Sequence, residues 1–415
     1  MPLIPARLEF AADGTPWSEE FGDVYHSAAG GPAQARHVFL AGNRLPERWA
    51  GRERFVILET GFGFGLNFLA TWQAWRRDPA RCARLHFVSV EKHPFALQDL
   101  RTLHFRYPEF EREAAELHSA WPMLLPGAHR LELDAGRIVL TLFFSDIKLL
   151  RELRLAADAI YLDGFSPPRN PDMWSHALLR AVSRLAAPGA TAATWSVAAS
   201  VRAALESAGF AVEKAAGFGN KNEMLLARHI RKANSASSPR RNAVVVGAGL
   251  AGAAICERLC ARGWQVRLVE RHAAPAQEAS GNHAGSFHPL VTPDDSVFAR
   301  LTRAAFLSCL NRWPLLENLR WDRCGMLQLA RDAKDEASQR ASIAALALPA
   351  EYVQYVTREE ASAHAGVPVE APGLWFPEAG WIQPQSLVNA QLEACGGRLE
   401  RTFNTEVKTL EKGTP

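Results

Sequence analysis

No apolar run in the 415 residues reaches the ~18 needed to cross a bilayer, and the opening "MPLIPARLEFAADGTPW" has no apolar export segment. A reduced, cytoplasmic protein with no membrane contact is therefore expected. The six cysteines form no C-x-x-C pair. Cys256 and Cys260 stand one helical turn apart with no His or Cys nearby in sequence, which points to a buried helix face and not to a metal site. The net charge is only +3, so no global basic field announces a nucleic acid, and such a partner would have to be met by a local patch. There is no internal repeat and no long low-complexity tract. What is present is an ordinary globular composition, 48% hydrophobic and 22% charged, long enough for two or three domains of ~150 residues each.

The N-terminal half alternates strand-like and helix-like segments. "RFVILE", "RLHFVSVE", "RIVLTLFFSD", "ADAIYLD" and "ATAATWS" read as strands. Between them "GLNFLATWQAWRR", "PFALQDLRTLHFRYPEF" and "DMWSHALLRAVSRLAAPG" read as helical, the last ending on Gly189, and "ASVRAALESAGF" follows. Such alternation implies an α/β fold with a parallel, doubly wound sheet. Two short final strands, "AVEKAAGF" and "NEMLLARH", are too close for a crossover helix and predict an antiparallel hairpin. Residues 1–230 thus form one domain. The next stretch, 231–241, is polar, proline-containing and basic, with Arg231, Lys232, Arg240 and Arg241 and no acid. It reads as a tether, with phosphate contact as the sharper alternative. A second α/β domain restarts at 242 and runs to 415.

Each domain opens on a glycine-rich turn. The first, "ILETGFGFGLNFLATW", carries Gly61, Gly63 and Gly65 as G-x-G-x-G behind Glu59. Glycine lets the backbone approach a ligand and adopt positive φ. The spacing departs from the G-x-G-x-x-G of dinucleotide sites, and S-adenosylmethionine, which has no pyrophosphate to cradle, suits it better. Glu91 closes the next strand and is placed for ribose hydroxyls, and Asp146, after the third, for an adenine amino group. The fourth strand ends in "YLDGFSPPRNPDMWS". Ligands collect beyond the carboxyl ends of such strands, so Asp163 should face the methyl donor from a proline-stiffened loop. That loop is similar in chemistry to the acid-Pro-Pro-aromatic loops of amino-methyltransferases, where a carboxylate holds a nitrogen nucleophile in line.

Five segments, "DVYHS", "HVFLAGN", "LETGFGFGLNFL", "YLDGFSPPRNPDMW" and "GFGNKNEML", together resemble the methyltransferase half of the bifunctional MnmC family of tRNA-modifying proteins. The resemblance covers nearly all of residues 1–230. It implies a Rossmann-like class I methyltransferase acting on an aminomethyl group of a wobble uridine in the tRNA anticodon loop. It also implies donor-site roles for Glu59, Gly61, Gly63, Gly65, Asn67, Glu91 and Asp146, and a catalytic role for Asp163.

The second turn, "AVVVGAGLAGAAICERLC", has Gly247, Gly249 and Gly252 in the dinucleotide spacing, with Glu270 ending the next strand. NAD and FAD both satisfy this pattern. The following "EASGNHAGSFHP", with Ser280, Asn282 and Gly285, resembles the second flavin-contacting segment of glycine oxidase and related amine-oxidising flavoproteins, its "EASGN" also resembles a segment of the MnmC oxidoreductase half, and "GWIQPQSLVNA" further on resembles a substrate-domain segment of the same family. FAD is the cofactor implied. His283 and His288 are read as polar loop residues.

The two implied chemistries join in sequence. FAD-dependent oxidation of the glycine-like C–N bond in 5-carboxymethylaminomethyl-2-thiouridine would release the carboxymethyl carbons as glyoxylate and leave a primary amine. S-adenosylmethionine-dependent methylation would then give 5-methylaminomethyl-2-thiouridine. No G-x-R-type turn of the kind that closes the flavin site in relatives occurs before Pro415, so the FAD-binding, glycine-oxidase-like α/β domain is expected to be incomplete. The alternatives are a monofunctional tRNA methyltransferase with an inactive second domain, and a nucleotide-binding RNA chaperone without turnover. Asp163 argues against the chaperone, since a pure binder has no use for an acid beside a methyl donor. A monomer is expected.

Overall fold

The computed structural model describes residues 2–230 and 241–411. Of the basic tether, Arg231, Lys232 and Arg240 lie outside the described residues. The chain divides into two compact units, Met1–Ser235 and Ala236–Pro415.

The first unit opens on a small antiparallel sheet of β1 (Glu9–Phe10), β2 (Pro16–Ser18) and β3 (Asp23–Val24), followed by a short helix, α1 (Gly31–Gln34). The main body then runs β4 (Arg54–Glu59), α2 (Leu66–Arg77), β5 (Arg84–Glu91), α3 (Leu97–His104), α4 (Glu111–Ala120), β6 (Gly127–Leu133) and β7 (Ile138–Phe144). It continues with β8 (Ala157–Tyr161), α5 (His176–Leu185), β9 (Ala186–Thr194), α6 (Ala199–Ser207), β10 (Phe210–Ala216) and β11 (Glu223–His229). The eight strands lie in the order β10-β11-β9-β8-β4-β5-β7-β6. The five in the middle pair in parallel, and β10–β11 is the antiparallel pair that the short connection demanded. From Phe55 to Glu59 every residue of β4 is buried, as a central parallel strand covered on both faces requires. Ile57 points into a core with Phe68 and Trp72, and Leu58 into the opposite one with Leu179 and Val182. From β4 the chain winds outward through β5 and β7, then returns to β8 on the other side. The ends of β4 and β8 therefore flank the switch point where such sheets bind ligands.

Besides the small β1–β3 sheet and α4, which no sequence expectation covered, two elements differ from the sequence expectation. The strand β6 was not anticipated. It pairs antiparallel with β7 through a tight turn in which Asp134, Ala135 and Gly136 all have positive φ, so the sheet has antiparallel strands at both edges. The helix expected to end on Gly189 stops at Leu185, and Ala186 already opens β9 in extended backbone. Pro188 explains this, because a proline disfavours helical backbone in the residue before it and removes a helix donor.

The second unit begins β12 (Asn242–Val246), α7 (Leu250–Cys260), β13 (Gln265–Val269), β14 (Gly285–Phe287), α8 (Val297–Arg312), β15 (Trp321–Asp322), β16 (Met326–Leu329) and α9 (Ala333–Leu346). It ends β17 (Gln354–Val356), α10 (Arg358–Ala365), β18 (Gly373–Phe376), β19 (Gly380–Ile382), α11 (Pro384–Glu393) and β20 (Leu399–Thr402). A parallel sheet, β12-β13-β20, carries the glycine turn, and two antiparallel sheets, β14-β19-β15 and β16-β18-β17, accompany it. Val245 and Leu268 pack with α7 and α11, where Cys256, Cys260 and Cys395 share the same apolar core. The alternate residues Val244 and Val246 are 66% and 53% exposed.

Candidate functional site

Beyond the ends of β4 and β8 lies a cavity of about 580 Å³, within the usual size of a small-molecule site. The first glycine turn forms its floor. Gly63 (φ 54°) and Gly65 (φ 82°) use the left-handed backbone that glycine adopts without strain, and Gly65 caps α2. A Cβ on Gly63 would come within 3.3 Å of the Tyr25 ring, and one on Gly61 equally close to the Asp163 carbonyl oxygen. Any side chain at these two positions would crowd the Tyr25 ring or the Asp163 backbone.

Glu91 holds the turn in shape. Its Oε2 accepts from Gly63 N at 2.7 Å and its Oε1 from His93 N at 2.8 Å. Burial raises its pKa despite these bonds. Asp146 also lines the cavity, where its Oδ1 accepts from Lys148 N at 2.9 Å and caps a short helical turn. Asn67, in the first turn of α2, donates from one Nδ2 to Glu59 Oε1 at 3.0 Å and to Asp163 Oδ2 at 2.7 Å. Asp163 Oδ1 accepts from Gly164 N (2.9 Å) and Trp195 Nε1 (3.3 Å). Desolvation lifts the Asp163 carboxyl to about 6, with the donors from Asn67, Gly164 and Trp195 and the nearby Lys221 limiting the rise.

The turn, Asn67, Glu91, Asp146 and Asp163 thus meet at one place. Glu59 does not line the cavity. It is fully buried behind the wall, where Ser89 Oγ also donates to its Oε2 at 2.8 Å. Burial, with Asp163 beside it, raises its pKa well above the carboxylate range. Sequence reading missed Asp23, Tyr25, Trp195 and Lys221, which also line the cavity. Three of these sit inside the segments "DVYHS" and "GFGNKNEML", so the motifs were visible but not the direction of their side chains. Asp23 Oδ2 accepts from Ser166 N at 2.9 Å, and Phe21 stacks on Phe165 at 4.5 Å, which ties the N-terminal segment to the proline-stiffened loop.

The second glycine turn is built by the same logic. A Cβ on Gly252 would meet the Gly247 carbonyl oxygen at 1.9 Å, and one on Gly249 the Ser280 hydroxyl at 2.9 Å. Ser280 Oγ accepts from Leu250 N at 3.1 Å, which joins the "EASGN" segment to the start of α7. Glu270 Oε2 accepts from Ala248 N at 2.6 Å and Oε1 from His272 N at 2.9 Å. Burial acts to raise its pKa, but those two N–H donors, with the His272 ring and the Arg271 N–H, together outweigh it and the carboxyl is held below its ordinary value. One lone pair on each oxygen remains for ribose hydroxyls. These residues fit the adenosine and pyrophosphate end of a dinucleotide. Asn282 is exposed, as are His283 and His288, and Gly285 opens β14.

Residues 108–230 match the family model described as S-adenosyl-L-methionine-dependent methyltransferase, and residues 242–414 match that of FAD dependent oxidoreductase. The tRNA 5-methylaminomethyl-2-thiouridine biosynthesis bifunctional protein MnmC of Thiobacillus denitrificans (strain ATCC 25259 / T1) is 52% identical to this chain, over 97% of it and 67% of the relative. The chain belongs to the MnmC family. The MnmC protein of Azoarcus sp. (strain BH72) is 54% identical over 100% of this chain and 66% of its own length, and that of Paraburkholderia xenovorans (strain LB400) 50% identical over 99% and 65%. The chain thus spans about two thirds of the length of these MnmC relatives. Among solved structures, MNMC2 from Aquifex Aeolicus is similar at 24% identity and a TM-score of 0.42, over 57% of this chain and 73% of that one. Among the described residues no helix is long and apolar enough to cross a membrane.

Two predictions follow from this geometry. Glu59 holds its proton more tightly folded than unfolded. Its stabilising contribution is therefore complete only below the unfolded carboxylate value of ~4.3, and is lost as pH rises towards its raised folded value. Glu59→Gln does not titrate, and the Ser89 hydroxyl can turn to accept from it. Its melting temperature should gain on the wild type as pH goes from about 5 to about 8, and a constant gap in thermal unfolding would contradict the assignment. Gly252→Ala should abolish FAD binding in a fluorescence titration, because its Cβ forces α7 off the turn, while donor binding at the first site stays intact.

Proposed function

We propose that the chain modifies the wobble uridine of tRNA in the cytoplasm, as a monomer, with methyl transfer in residues 1–230 and flavin-dependent oxidation in 242–415. The observation that carries the first activity is Asp163. Its carboxylate lies in the same cavity as the glycine turn, and its pKa of about 6 leaves it largely ionised at neutral pH.

In this reading Gly61, Gly63, Glu91 and Asp146 bind S-adenosylmethionine, which supplies an electrophilic methyl group. The acceptor is the aminomethyl group of the uridine, and it must present a nitrogen lone pair. As the N–C bond forms and the donor's C–S bond breaks, the amine loses a proton. Asp163 would take it as a general base and pass it to solvent. Asn67 and Trp195 hold the carboxylate in one orientation, so the reaction does not have to order it. An anticodon-loop base is single-stranded and enters such a pocket without breaking a duplex.

Methyl transfer to tRNA bearing 5-aminomethyl-2-thiouridine should rise with pH through about 6 and then level, as Asp163 ionises. Asp163→Ala should lower turnover by ~10²-fold or more while donor affinity is kept. Intact turnover in that variant would exclude the role.

In the second unit Gly247, Gly249 and Gly252 would receive the pyrophosphate of FAD, and Glu270 its ribose. When bound, FAD supplies the hydride acceptor for oxidation of the carboxymethylaminomethyl C–N bond. Ser280, Asn282 and Gly285 would lie on the flavin side. A second reading is a methyltransferase whose flavin unit does not turn over. Incubation of both tRNA forms with excess FAD and donor separates the two. On the second reading the aminomethyl form is methylated while the carboxymethylaminomethyl form releases little glyoxylate. Full conversion of both would establish the first.

A further inference from the structure

The cavity mouth carries an amine of its own. The turn between β10 and β11 is compact: Gly217 N donates to Asn222 O at 3.0 Å, Lys221 N to Phe218 O at 3.2 Å, and a Cβ on Gly217 would collide with the Lys221 carbonyl oxygen at 2.2 Å. This turn delivers the Lys221 ammonium onto the face of Trp195, 3.2 Å from the ring centroid. The indole cannot turn away freely, because its Nε1–H donates to Asp163 Oδ1. The carboxylates that attract Lys221 are Asp23 and Asp163, and partial burial of the ammonium lowers its pKa.

A primary ammonium on an aromatic face beside the catalytic carboxylate is the chemistry that an aminomethyl acceptor presents. Lys221 and Trp195 also line a second, open hollow of about 430 Å³ with Ser196, Val197, Ala198, Asn222 and Glu223, the last also lining the main cavity and paired there with Lys214 Nζ at 2.7 Å. Lys221 and Trp195 line the main cavity too, so they form the partition between the donor site and this outer hollow. The donor turn is on one side, and solvent and room for a nucleoside are on the other.

We propose that Lys221 is the acceptor gate: its ammonium holds the amine subsite on Trp195, and a primary amine carried on a nucleoside enters from the outer hollow by displacing it. This rests on the methyltransferase reading and adds to it the element that selects a substituent arriving as an ammonium, which gives one proton to Asp163 and on to solvent to expose its lone pair before methyl transfer, over a neutral or anionic one. A carboxymethylaminomethyl group would bring its carboxylate against Asp23 and Asp163, so the same subsite disfavours it.

The test uses the full chain and initial rates of methyl transfer to tRNA bearing the aminomethyl group. Lys221→Met keeps the length of the stem and removes the competing charge. It should lower the KM for tRNA about two- to fivefold, the factor that a solvent-exposed cation–π contact is worth. An unchanged or raised KM, as for a lost phosphate contact, overturns the proposal, and so does a fall in kcat that dominates the effect. In the wild type, benzylamine should inhibit competitively with tRNA and benzyl alcohol should not, and Lys221→Met should be inhibited at lower benzylamine concentration. Equal inhibition by amine and alcohol overturns the proposal even if the variant fails to fold. Absence of methyl transfer by the wild type would remove the functional reading instead. Calorimetric titration of donor-loaded protein with benzylamine would then still decide the gate, since binding no weaker in the wild type than in Lys221→Met sinks it.

Discussion

One side-chain amide organises the first unit. Asn67 Nδ2 lies between Glu59 and Asp163 and donates to both. Two carboxylates this close at a sheet's switch point would repel each other if both were ionised and dry. The amide keeps them apart, and the environments differ enough to divide their roles. Glu59, with no exposure, is driven towards its neutral form. Asp163, at the cavity with further donors from Gly164 and Trp195, rises only to about 6. Its availability as a base near neutral pH depends on that division, as does the direction in which its free lone pairs face.

Both units use one device at their glycine turns. An acid at the end of the second strand reaches back to a backbone N–H of the turn with one oxygen and to the N–H two residues ahead with the other. Glu91 does so with Gly63 and His93, and Glu270 with Ala248 and His272. Nearly the same hydrogen bonds nevertheless give opposite pKa shifts. Around Glu91 desolvation prevails, whereas at Glu270 the N–H donors and the His272 ring together outweigh a smaller burial cost. The constellation that stiffens the turn is thus separable from the charge it presents to a ligand, and the surrounding protein sets the latter.

The N-terminal segment adds a wall that the Rossmann-like core lacks. Phe21 stacked on Phe165 and the Asp23–Ser166 hydrogen bond bind it to the loop after β8. The Tyr25 ring lies over Gly63, where a Cβ would come within 3.3 Å of it. The N-terminal segment is therefore packed directly on the loop that follows Asp163.

Much of this was legible in the linear chain. Strand–turn–helix alternation, the two glycine spacings and the acids ending successive strands are local patterns, and local backbone geometry enforces them: glycine at positive φ, an acid where a strand stops, a proline where a helix must end. Misreadings occurred where a local signal was weak or was overridden. Leu131 and Leu133 alternate as a strand, but only pairing with β7 makes β6 one, and the helical apolar pattern runs on past Leu185 although Pro188 ends the helix there. Tertiary structure alone decided which side chains face one another. Glu59 and Asp163 are far apart in sequence and share an amide. Trp195 follows a strand and Lys221 lies in a hairpin turn, yet their side chains meet at the cavity mouth. Spacing specifies the conformation of neighbours along the chain. Which residues meet across the sheet depends on strand order, and that is set by burying both faces of β4 at once, a condition no single segment contains.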